Sequence, residues 1–171
     1  MKSRLPWLIL GVLGGTAAAS VVSSFEAVLS KFIVLAAFIP VLVYMSDAVG
    51  TQSEALIIRS LALDPELSVR TYILREFKIS IMLAVICGIL ISIVAVAGWG
   101  TYYLGAVVGF SMFLSIIAAV AISTLLPMAF KRFNYDPAVA TGPLATIISD
   151  LLTLTIYFTV AILLLTYLNL I

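Results

Sequence analysis

The sequence predicts an all-α integral membrane protein with five transmembrane helices. Three observations carry that reading. First, the 171 residues are 64% hydrophobic and 10% charged, with a mean hydropathy of +1.28. A soluble domain is roughly half apolar and about a quarter charged, so this chain has too little polar material to cover itself in water. Secondly, the apolar residues gather into five stretches long enough to cross a hydrocarbon core of ~30 Å, which takes about 20 residues of helix. Thirdly, the basic residues alternate between the connections as a five-span topology requires. One cysteine, no histidine and a net charge of +1 exclude a disulfide scaffold, a Cys/His zinc site and a nucleic-acid binder.

The spans fall at about residues 5–22, 32–49, 79–98, 102–126 and 143–168. They lack the polar alternation of barrel strands, and only a helix satisfies every backbone group within one segment in lipid. Lys2 and Arg4 precede the first span, and Lys31 lies between the first and second. Arg59, Arg70, Arg75 and Lys78 lie between the second and third, and Lys131 and Arg132 between the fourth and fifth. Five spans thus put eight basic residues on the side of the N-terminus and one on the other. The positive-inside rule then makes the N-terminus cytoplasmic and the C-terminus external, in a multi-pass protein of the cell (plasma) membrane.

The first span also imitates a secretory signal, with Lys2 and Arg4 ahead of it and Ala17-Ala18-Ala19-Ser20 near its end. The apolar run continues through Val21 and Val22, which suits a retained span better. Two Gly-x-x-x-Gly pairs, Gly11/Gly15 and Gly105/Gly109, offer close helix contact, either within one bundle or across a dimer. Cys87 lies inside span three and reads as a packing residue.

Most of the remaining charge belongs to connections. Glu54, Asp64, Glu66 and Glu76 share the long segment after span two with four basic residues. Asp64 and Glu66 are expected to pair or face water, and Glu76 to pair on the surface with Arg75 and Lys78. Glu54, just after Gly50-Thr51-Gln52, is the better candidate for a cytoplasmic mouth of an ion path. Leu56, Ile57, Leu61 and Leu63 around Arg59 suggest an amphipathic continuation of span two.

Two aspartates break the pattern. Asp150 lies seven residues beyond Pro143, and Asp47 near the cytoplasmic end of span two. An ionisable group at depth faces a water-filled cavity or a partner, and no lysine or arginine lies within any predicted span. A cation from outside is the natural counter-charge, against the alternative of a neutral carboxyl bonded to a neighbouring helix. The two sites share a pattern of Pro, five residues, Ser, Asp: Pro40 to Ser46-Asp47, and Pro143 to Ser149-Asp150, on spans of opposite direction. Proline frees carbonyl oxygens, and distorted helices beside an acid present oxygen to ions in membranes. With Thr51, Thr146 and Ser149 as hydroxyl donors and no imidazole or thiolate pair, the ligand set is hard oxygen, favouring Mg²⁺ or Ca²⁺. No prosthetic group is implied; the divalent cation is cargo.

The stretch Pro40-Val41-Leu42-Val43-Tyr44-Met45-Ser46-Asp47-Ala48-Val49-Gly50-Thr51-Gln52 resembles the second-helix signature of the MgtE family of magnesium channels and transporters. Asp136-Pro137-Ala138-Val139-Ala140-Thr141-Gly142-Pro143 through Asp150 resembles that family's last-helix motif, and Arg4-Leu5-Pro6-Trp7 fits the opening of its first span. The resemblance implies a single five-helix domain over residues 1–171, a homodimer in the lipid bilayer, an ion pathway near the subunit interface and Asp150 as principal ion ligand. Asp47 is expected to be a further metal ligand, with Thr146, Ser149, Gly142, Pro143, Thr51, Gln52 and Glu54 along the pathway. The family commonly carries Gly-Gly-Asn-Ala-Gly-Thr-Gln in helix two, where this chain has Ser46-Asp47-Ala48-Val49-Gly50-Thr51-Gln52. The first span starts close to Met1, so no soluble sensor domain is expected.

Rival readings are an intramembrane aspartyl protease built on Asp47 and Asp150, whose Tyr-Asp and Gly-x-Gly-Asp signatures are missing at these sites, and a non-catalytic subunit of a larger membrane complex. The expected activity is transport of a divalent cation, not enzymatic.

Overall fold

The computed structural model describes residues 5–64 and 68–171, with side chains left undescribed at 137–140. Lys2, Arg4 and Glu66 lie outside the described residues. Six helices follow in order: α1 (Leu5–Ser24), α2 (Glu26–Lys31), α3 (Val34–Leu63), α4 (Val69–Trp99), α5 (Tyr102–Arg132) and α6 (Pro137–Tyr167). All but the six-residue α2 are long and apolar enough to cross a membrane. The five predicted spans are therefore present.

The helices outrun the predicted spans. α3 continues to Leu63, α4 starts at Val69 and α6 begins at Pro137. Hydropathy marks where hydrocarbon is crossed, whereas backbone hydrogen bonding continues until a residue stops it. Leu56, Leu63 and Arg59 on the α3 extension are exposed while Ile57 and Leu61 are buried, so the amphipathic continuation of span two is one helix with it. At the far end of α4, Gly100 takes φ +68°, a left-handed conformation that glycine adopts without strain. Its N–H bonds Val96 O at 2.8 Å, and α5 starts two residues later. Pro40 and Pro143 lie inside unbroken helices, as does Pro127 in α5. At each of the two Pro-x₅-Ser-Asp units the proline leaves the carbonyl four residues back without a helical donor.

α5 is the centre of the bundle, packed by α3, α4 and α6. The α4–α5 crossing is tight because Gly88 and Gly109 face one another: a Cβ on either would lie 2.8 Å from the other's carbonyl oxygen. Gly105 similarly abuts Ser92 and Val96, so the Gly105/Gly109 pair serves contact within the bundle. On α3, Gly50 abuts Ala119 and Ser123 of α5. α6 packs against α3 and α5, while α1 leans on α6, with Gly14 against Ile147. Gly11 and Gly15 have open space beside them. The short α2 follows Phe25, which stacks on Phe158 of α6 at 4.6 Å, and Tyr157 donates to Leu35 O at 2.9 Å, tying α6 to the start of α3.

Candidate functional site: an acidic seam between two helices

α3 and α6 run antiparallel and share a line of acid–hydroxyl contacts. Thr141 Oγ1 donates to Glu54 Oε1 at 2.5 Å, and Thr146 Oγ1 donates to Asp47 Oδ1 at 3.3 Å. On α3 the two acids are seven residues apart, two turns and about 10 Å, so they project from one face. Asp150 is four residues beyond Thr146, one turn further along the same face of α6. Its carboxylate lies close enough to Asp47 for the two charges to act on each other. Both aspartates are half-buried.

Sequence position misjudged Glu76. Glu54 is 8% exposed and Glu76 is 7% exposed, so neither is a solvated surface charge. Glu76 accepts a hydrogen bond from Ser53 Oγ at 2.6 Å, reaching across from α4 to α3. Arg75 and Lys78, its expected surface partners, are exposed. The cause is the 100° turn per residue: charges adjacent in sequence leave a helix in different directions, so Arg75 and Glu76 need not meet. Asp64 is exposed, as expected.

The predicted pathway residues divide into three groups. Asp47, Thr146, Asp150, Glu54 and Gly142 come together along the seam, with a Cβ on Gly142 falling 4.0 Å from Glu54 Oε1. Ser149 and its counterpart Ser46 are buried in the bundle with no hydrogen-bond partner for their hydroxyls among the described residues. Pro143 is half-buried beside the seam, whereas Thr51 and Gln52 are exposed. Thr141, Ser53 and Glu76 were not singled out from sequence as pathway residues. Thr141 lay within the matched last-helix stretch, but its pairing with Glu54 depends on the α3–α6 register, which no local signal reveals.

The donors are carboxylate and hydroxyl oxygens. Among the described residues no lysine or arginine pairs with Asp47, Asp150, Glu54 or Glu76. No three Asp, Glu, His or Cys residues cluster among them either. Buried or half-buried carboxylates without a basic partner are normally satisfied by protonation or by a cation, and oxygen donors favour a hard one. Cys87 sits on α4, away from the seam, half-buried among packing residues.

Fold and seam together define a multi-pass helical membrane protein with a line of acid and hydroxyl side chains between two of its spans. Residues 39–160 match the family model MgtE, described as a divalent cation transporter, and the chain belongs to that family. It is 40% identical over 161 residues to the magnesium transporter MgtE of Bacillus subtilis, covering 92% of this chain and 36% of that protein. It is 35% identical over 162 residues to the magnesium transporter MgtE of Enterococcus faecalis, covering 94% of this chain and 36% of that protein. Against the magnesium transporter MgtE of Thermus thermophilus, identity is 35% over 167 residues, 95% of this chain and 36% of that protein. The chain therefore spans 36% of the length of each of these relatives.

Proposed function

We propose that this chain carries the membrane pathway of a divalent cation transporter, with Mg²⁺ as the cargo and Asp150 as its principal ligand. The observation that carries the reading is the approach of two half-buried carboxylates, Asp47 and Asp150, on facing helices with no basic partner among the described residues. Mg²⁺ gives up its water reluctantly and is commonly held through one or two carboxylates with several waters retained. Two acids and the Thr146 hydroxyl suit such a partly hydrated ion. A second copy of the chain, related by a twofold axis, would double Asp150 and complete a ring of acids able to select divalent cations. In this reading Glu54 and Thr141 lie on the cytoplasmic side of that ring, because the flanking basic residues orient that end inward in the plasma membrane.

The names of the relatives support the cargo, and the oxygen-only donor set supports a hard ion. The test is flux from purified protein in liposomes across Mg²⁺, Ca²⁺, Mn²⁺, Co²⁺ and Na⁺. Asp150→Ala should abolish Mg²⁺ flux while insertion and dimerisation persist; undiminished flux would remove the central residue of the proposal. Imposed pH and Na⁺ gradients then separate passive conduction from coupled exchange.

A further inference from the structure

We propose that Glu76, on a helix that takes no part in the seam, is the positioning residue that sets the rotation of α3 and thereby aims its acids at α6. The inference rests on the transport reading for its consequence and on packing for its geometry. α4 lies along α5, and side-chain contacts reach from it to α3 towards both ends, Tyr72 with Ser60 among them. At one end Trp99 sits against Phe38, ring centroids 4.9 Å apart. At the other, Ser53 donates to Glu76 at 2.6 Å. Ser53 and Glu54 are consecutive, so their side chains leave α3 about 100° apart. Ser53 held by α4 and Glu54 held by Thr141 of α6 are thus two restraints on different sides of one helix, and together they fix its rotation.

That restraint adds to the packing of α3 on α5, where Gly50 abuts Ala119 and Ser123 and Val49 and Ile57 are buried. Thr51 and Gln52 are exposed. A rotation of α3 by a few tens of degrees would swing Asp47, two turns away from Glu54, off Thr146 and away from Asp150. A carboxylate is a strong acceptor for such a bond, and burial at 7% exposure shields the bond from competing water. What the arrangement requires of residue 76 is an acceptor oxygen at that place rather than a negative charge. Glu76→Gln retains an acceptor, and Glu76→Leu does not.

The test pairs flux with a geometric readout that needs no transport. In liposomes, Glu76→Leu and Ser53→Ala should each raise the apparent KM for Mg²⁺ about tenfold, the scale of losing a partner behind a metal ligand. The double variant should be no worse than either single one, and Glu76→Gln should stay near wild type. In a Cys87→Ala background, the pair Glu54→Cys and Gly142→Cys should cross-link rapidly with a short bifunctional thiol reagent when residue 76 is Glu or Gln, and slowly when it is Leu. Cross-linking that ignores residue 76 overturns the proposal. So does a Gln variant as impaired in flux as the Leu variant, since the charge itself would then be in use. Should the wild-type protein carry no Mg²⁺ while cross-linking still depends on residue 76, the transport reading fails and the positioning stands.

Discussion

A carboxylate placed within a bilayer costs several kcal/mol unless water, a base or a cation reaches it. Asp150 is half-buried, accepts no hydrogen bond among the described residues, and has another acid as its electrostatic neighbour. In the proposed pathway, Asp150→Ala should lower Mg²⁺ flux by at least the roughly 10–100-fold that loss of even an outer partner of a metal brings. Asp47→Asn keeps an acceptor for the Thr146 hydroxyl but deletes one charge, so flux should fall less and preference among divalent ions should shift; measuring Mg²⁺ against Ca²⁺ and Co²⁺ flux in the same vesicles checks this. Residue identity showed both aspartates to be out of place, because each stands in an apolar run. It misplaced Glu76, because a neighbouring Arg75 in sequence says nothing about which way a helical side chain points.

Helix contacts in lipid gain little from the hydrophobic effect, since lipid is as apolar as the side chains, and depend on close van der Waals fit. The Gly88–Gly109 crossing is such a fit between α4 and α5, with the place of each missing Cβ lying 2.8 Å from the partner's carbonyl oxygen. Gly109→Leu should therefore destabilise the protein by about 1–3 kcal/mol, the usual penalty of overpacking, seen as a lower melting temperature in detergent. Gly11→Ala, on the open side of α1, should leave the melting temperature unchanged. The sequence marked Gly105/Gly109 and Gly11/Gly15 as equivalent motifs. Only the partner surfaces distinguish them: the first pair faces a helix of the bundle, while the second has open space within the protomer.

The arrangement of the five spans puts α5 at the centre and α1 at the edge, with the seam on the α3–α6 flank. This layout leaves Asp150 half-buried in the single chain, and in the proposed dimer a twofold-related copy meets it there. If the proposed dimer is correct, Asp150→Cys should form a disulfide between subunits under mild oxidation, and an exclusively monomeric product would count against a pathway at the interface. The charge asymmetry places Lys131 inside and Lys31 outside in the proposed orientation, so an impermeant thiol reagent applied to intact cells should label Lys31→Cys and spare Lys131→Cys in a Cys87→Ala background.

What the sequence determined by itself was the solvent, the number of spans and the two misplaced aspartates, because these follow from local composition: lipid accepts only long apolar helices, and a charge within one is conspicuous wherever the helix packs. Tertiary structure alone decided which oxygens face one another. The pairing of Glu54 with Thr141, of Asp47 with Thr146 and of Ser53 with Glu76 joins residues 87, 99 and 23 positions apart. Such contacts depend on the rotation and register of whole helices, which are set by the sum of packing along their length and leave no mark in any single stretch of the chain.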